Sequence, residues 1–366
     1  MIHWRRARVA SILSDRPGVR ELTVTPSTSL PGATTSDVRA VAYTDLVGTP
    51  ERGDDVLVNV SALARGLGTG GFALVVALPD RLPADPPDGP GHLVKARYTP
   101  MQTMVLGVDD QESPHHDALA AADSLDGMPV VVADLHSALP AIVAGIRLVD
   151  PSLVVAYVMT DGGALPARFS ATAAGLTESG WIAGTVSVGQ SFGGDIEAVS
   201  LHTGLLAAKS VLRADIAIVA QGPGNLGTGT KWGFSGVSAG EAVNAASVLH
   251  GRPIGSLRVS EADERHRHFG VSHHSLTAYG QVALAPAEIA VPELPGKFGA
   301  DVRRQAAALG APRGRHVLVN VPADGLDDAL AGCPVPLRTM GRGPGDDRAA
   351  FVSAAAAGRY AANARP

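Results

Sequence analysis

Ile216-Ala217-Ile218-Val219-Ala220 is an unbroken apolar run that stops at Gln221-Gly222-Pro223-Gly224-Asn225. A strand with one wet face alternates apolar and polar residues, so a continuous β-branched run marks a strand covered on both sides, as in a parallel sheet. Residues 129–133, 153–159, 184–188 and 254–259 are runs of the same kind. Between them, residues 135–148, 167–179, 196–213 and 237–249 are rich in Ala and Leu and of helix length. A further helix over 300–309, a strand over 316–321 and a closing helix over 347–362 extend the alternation. Repeated strand–helix units with right-handed crossovers predict an α/β fold, a Rossmann-like parallel sheet in a three-layer sandwich, over residues 92–366.

The N-terminal part reads differently. Short β-branched runs at 9–13, 20–24, 38–43, 56–60 and 72–77 are separated by turn signals such as Arg16-Pro17-Gly18 and Arg52-Gly53-Asp54. They predict a small β-barrel domain over residues 1–85, with a mobile loop at 26–32 and a proline-rich linker at 78–91. At 366 residues, 45% hydrophobic and 18% charged, the chain is long and apolar enough for two folded domains. Aromatic residues make up only 4%, so the cores are expected to be aliphatic.

A net charge of −5 argues against a dedicated nucleic-acid binder, and Arg5, Arg6 and Arg8 read as a solvated face. No apolar run reaches the roughly 20 residues that span a bilayer, and the N-terminus lacks an apolar signal region, so a cytoplasmic, non-membrane protein is expected. The single cysteine, Cys333, leaves no internal disulfide and no cysteine-rich metal site. A homo-oligomer is left open.

In open α/β sheets ligands sit beyond the carboxyl ends of the strands. The segments that follow the predicted strands begin with Asp134-Leu135-His136-Ser137, Thr160-Asp161, Gly189-Gln190-Ser191-Phe192-Gly193-Gly194-Asp195, Gln221-Gly222 and Ser260-Glu261-Ala262-Asp263. This recurrence predicts a common site at that edge, with Asp161, Asp195 and Asp263 as acid, base or metal groups. The glycine stretch Gly222, Gly224, Asn225, Gly227, Thr228, Gly229, Thr230, Lys231 offers backbone amides and a lysine to an anion. It lacks the Gly-Lys-Ser/Thr ending of a P-loop. Gly236-Val237-Ser238-Ala239-Gly240 has the spacing of a nucleophile elbow but no strand directly before it, and Ser238 reads instead as a helix cap.

His266, His268, His273 and His274 lie within nine residues of one another. An extended 266–268 segment would put His266 and His268 on one side, and a turn at Gly270 would bring His273 back. The chemistry stays open between a divalent metal, metal-free acid/base or anion binding, and a structural network, since no standard zinc spacing is present. Asp134-x-His136 with Gly194-Asp195 has part of a metallophosphoesterase pattern, without its Gly-Asn-His element.

Residues 67–72, 94–102, 159–166, 189–195, 222–236 and 265–274 together resemble the bacterial domain-of-unknown-function family numbered 3866 over nearly the whole chain. That resemblance implies one coherent bacterial protein and carries no activity. The residues themselves point to an enzyme for a small anionic or phosphorylated metabolite, with His268, His273 or His274 in the chemistry. The rival expectation is a non-catalytic nucleotide or metabolite-binding module whose barrel meets a partner. The glycine stretch and the 263–274 segment are expected to face each other at one pocket.

Overall fold

A computed structural model describes residues 2–30, 36–66 and 70–365. Two compact units are formed, Met1–Gly89 with Ala96–Thr103, and Pro90–Lys95 with Met104–Pro366. The chain thus leaves the first unit near the expected linker and returns to it once. Leu67, Gly68 and Thr69, part of a Leu-Gly-Thr-Gly sequence that recurs at 226–229, lie outside the described residues.

The first unit is a closed barrel of β1 (Trp4–Arg16), β2 (Val19–Pro26), β3 (Val38–Ala42), β4 (Asp55–Asn59) and β5 (Ala73–Ala77), in the order β1-β2-β3-β5-β4. Alternation builds it: Leu22 and Val24 of β2, Val56 and Val58 of β4, and Ala73 and Val75 of β5 all point into one core. Closure leaves no free edge. A two-stranded ribbon, β6 (Leu93–Lys95) and β7 (Thr103–Val105), follows.

The second unit holds eight parallel strands: β8 (Pro129–Val132), β9 (Val155–Thr160), β10 (Gly184–Ser187), β11 (Ile196–Glu197), β12 (Ile216–Gln221), β13 (Arg252–Ser256), β16 (Glu288–Pro292) and β17 (Val317–Val321). Their order is β11-β10-β9-β12-β8-β13-β16-β17. Helices Leu139–Val149, Leu326–Ala331 and Arg348–Asn363 pack together in one layer, and Leu201–Ser210 and Ser238–Val248 in the other. The three-layer α/β sandwich with a parallel sheet is therefore present. Val130, Val131, Val132, Tyr157, Met159 and Ile218 are fully buried, which explains why these strands read as continuous apolar runs.

Three details depart from the sequence reading. The run 254–259 breaks after Ser256, and β14 (Val259–Ser260) turns off the sheet to pair antiparallel with β15 (Gly270–Val271). Strand β16 lies in a segment with Pro286, Pro292 and Pro295 to which the sequence reading assigns no element. The expected helix over 196–213 is shorter, Leu201–Ser210, because its first residues form β11 (Ile196–Glu197). Among the described residues no helix is long and apolar enough to cross a membrane.

Candidate functional site

The strand order creates a crevice. From β8 the chain moves outward to β9 through the helix Leu139–Val149, whereas from β12 it moves the other way to β13 through the helix Ser238–Val248 on the opposite face. Neighbouring strands that lead to opposite faces leave a gap beyond their carboxyl ends. Asp134 follows β8 there and Gln221 ends β12, the Gln221 side chain donating to the Asp134 carbonyl at 3.0 Å. Asp134 is buried, and its Oδ2 has no hydrogen-bond partner among the described residues. Two small cavities meet at Asp134. The larger has room of about 40 Å³ for water-sized spheres and is also lined by Ser137, Arg258, Ser260, Asp263 and Arg342. That is room for a few waters.

Against Asp134 stands the histidine group. His268, His273 and His274 each bring a ring nitrogen within 4.8 Å of the others. Their rings lie 4.4 to 4.9 Å apart between centroids. Local geometry produces this meeting. Residues 266–268 form a short 3-10 turn, Gly270 turns the chain at φ +74°, and Ser272 caps the helix His273–Thr277 by accepting from the His274 amide. The φ calls for glycine at 270, where a Cβ would meet the movable end of the Gln305 side chain.

Each imidazole is held differently. His268 Nδ1 lies 2.8 Å from Ser272 Oγ. His274 Nδ1 lies 3.0 Å from Arg258 Nη1 and 3.5 Å from Asp134 Oδ2. Phe234 stacks on the His274 ring at 3.8 Å. His273 Nε2 is buried without a partner among the described residues. Burial, then the charge of Arg258, pushes His268 down to about 3, and burial with the neighbouring His274 takes His273 down to about 4. Both are neutral imidazoles at pH 7.

The other expected residues divide. Asp263 is close enough to act on the charge of His268, but two hydrogen bonds from the Arg265 side chain and an ion pair with Arg342 at 3.5 Å engage it. The Arg265 hydrogen bonds hold its carboxyl well below the usual range. Asp161 accepts from the Gln190 amide at 2.8 Å and ties two loops together. Asp195 stands at the start of β11, not at a strand end, and accepts from the Thr185 amide at 2.8 Å. His266 is exposed while His268 is buried, because the 3-10 turn replaces the extended segment that would have aligned them.

The glycine stretch is a hairpin closed by a few bonds of its own: Gly227 bridges Phe234, the Thr228 amide donates to the Gly233 carbonyl at 2.7 Å, and the Gly233 amide donates to Thr230 Oγ1 at 3.1 Å. Asn225 accepts from Gln221 and Ser235 at the base, whereas Gly224 and residues 226–232 are exposed. Lys231 Nζ lies 5.1 Å from the centroid of the Trp232 ring. The base passes Asp134 closely, a Cβ on Gly236 falling 2.8 Å from the Asp134 carbonyl oxygen, and Phe234 brings the returning arm to the histidines. At the tip, a Cβ on Gly229 would sit 3.9 Å from Arg267 Nη2. The two segments therefore meet at one edge, through Phe234 and Arg267 rather than through glycine amides. Ser238 opens its helix and donates to the Ser235 carbonyl at 3.1 Å, so it neither caps that helix nor sits on a nucleophile elbow.

Sequence reading missed Arg258, Phe234 and Ser272 as parts of this group and gave Asp134 no role in it. Asp134 was discoverable as the acid directly after a fully apolar central strand.

The fold and site define an α/β sandwich preceded by a β-barrel, with a histidine group at the carboxyl edge of the sheet. The family model described as "Protein of unknown function (DUF3866)" matches residues 39–358, and the chain belongs to that family. Neither a curated protein nor a solved structure matches it.

Proposed function

We propose that the protein is an enzyme acting on a small anionic or phosphorylated metabolite at the carboxyl edge of the parallel sheet. The observation that carries this is the convergence of three imidazoles, one with a buried nitrogen lacking a partner, beside Arg267 and the exposed hairpin. Buried polar groups are nearly always paired, so an unpaired one beside two other imidazoles is expected at a site that awaits a ligand. In this reading Arg267 and Lys231 meet the anion as exposed cations, and His268, His273 and His274 face the reacting group. Asp134 orients His274 and faces Arg258 at 3.8 Å. Asp263 holds Arg265 and Arg342 at the neighbouring wall.

A cytoplasmic, bacterial setting goes with this reading, and the single cysteine agrees with a reducing compartment.

The test is a thermal-shift screen of small phosphate esters and carboxylates, followed by turnover assays on every hit. Turnover that falls at least about a hundredfold in His273→Ala supports the enzyme. A stabilising ligand recovered unchanged after long incubation supports the binding module instead.

A further inference from the structure

We infer that His268, His273 and His274 form a binding site for one divalent transition metal, zinc by preference. The inference deepens the catalytic reading above and rests on the same histidine group. Tetrahedral zinc takes imidazole nitrogens at about 2.0–2.1 Å, which places them roughly 3.4 Å from one another. Here the three lie within 4.8 Å, and small ring rotations close the difference. Three protein nitrogens leave a fourth position for water or substrate, the arrangement of a catalytic rather than a structural zinc. A set of three imidazoles with no cysteine among the ligands also suits zinc, copper or nickel better than magnesium or calcium.

The surroundings have the outer contacts that a metal-ligating histidine needs, a partner for the ring nitrogen that does not bind. His268 Nδ1 lies 2.8 Å from Ser272 Oγ, and in the tautomer that donates to this hydroxyl its Nε2 lone pair is left for the ion. His273 offers the buried Nε2 that nothing else satisfies. His274 is the informative member. With Arg258 donating to its Nδ1 at 3.0 Å, its proton sits on Nε2. Metal binding at Nε2 would move that proton to Nδ1, so Arg258 must give up Nδ1 for Asp134 Oδ2, which lies 3.8 Å from Arg258 Nη1 and 3.5 Å from His274 Nδ1 and has no hydrogen-bond partner among the described residues. The ion would therefore satisfy both orphaned atoms of the site, one directly and one through a tautomer change that releases no net proton.

The test uses the full chain without a histidine tag. After incubation with Zn²⁺ and exhaustive dialysis, elemental analysis should find about one zinc per chain. The content should fall below about a tenth in His268→Ala and in His273→Ala, while His266→Ala, which alters the exposed neighbour, keeps it. Asp134→Asn should weaken zinc binding about 10- to 100-fold by titration. Cobalt loading reads the same site independently, through the visible absorption of a four-coordinate ion that His273→Ala abolishes. Wild-type protein that retains no more metal than a His268→Ala/His273→Ala double variant overturns the inference, and needs no variant to be fully folded. Turnover undiminished in metal-free protein also overturns it while leaving the enzyme in place. Stoichiometric zinc without turnover of any substrate supports the metal and removes the enzyme.

Discussion

The hairpin at 222–235 and the segment at 263–274 look equally site-like as sequence, one dense in glycine and threonine, the other in histidine and arginine. Folding treats them oppositely. The hairpin is exposed and bonds to itself at its closing pairs, as with Thr228 to Gly233 and Gly233 to Thr230. The histidine segment is folded inward by the turn at Gly270 and left with a buried nitrogen unpaired at His273. Residue type marks where chemistry is available; unspent hydrogen-bonding capacity under burial marks where it is used.

The largest contrast is expected in turnover. His273→Ala should lower kcat about a thousandfold, the several kcal/mol that a lost Lewis acid represents, whereas Thr228→Val with Thr230→Val should leave kcat within about twofold. Equal losses at both places would erase the distinction between them. Gly236→Ala sharpens it from another side. A new Cβ 2.8 Å from the Asp134 carbonyl must displace the segment that faces His274, and we expect a loss of about 1–3 kcal/mol in denaturant unfolding, together with weaker metal retention. An unchanged midpoint would mean that this close approach is not rigid.

Smaller effects follow at the rim. Arg267→Ala should raise KM for an anionic substrate about tenfold with kcat nearly unchanged, the pattern of a group that binds ground and transition states alike. A loss in kcat alone would move Arg267 into the chemistry. The smallest concerns His136, beside the site but not in it, held between Tyr157 at 2.9 Å and Ser170 at 2.7 Å. Burial pushes its imidazole from 6.5 down to about 4. The unfolded chain binds more protons across that window, so the stability tied to His136 is complete above pH 6.5 and is lost as pH falls towards 4. Urea unfolding of His136→Gln should show a flatter dependence there; an identical pH profile would mean that the ring does not carry it.

How much was legible follows from which forces act locally. Continuous runs such as Ile216–Gln221 announce a covered strand, and period-two runs such as Val56 and Val58 announce the barrel, because burial acts residue by residue. Strand order was not legible. Nothing in the sequence places β8 between β12 and β13, yet that insertion makes the crevice that gives Asp134 its position. Within the site, the histidines were legible by their density, while Arg258 and Phe234 were not, since each depends on a chain reversal. Asp195 misled because it follows an apolar strand but precedes another, β11, so its carboxylate serves the Thr185 backbone.

The zinc K-edge absorption spectrum of untagged, zinc-loaded protein tests the histidine group most directly. We expect a nitrogen shell at about 2.0–2.1 Å with the outer scattering of three imidazole rings, lost in His268→Ala. A shell of oxygen alone, or a spectrum that His268→Ala leaves unchanged, would contradict the site.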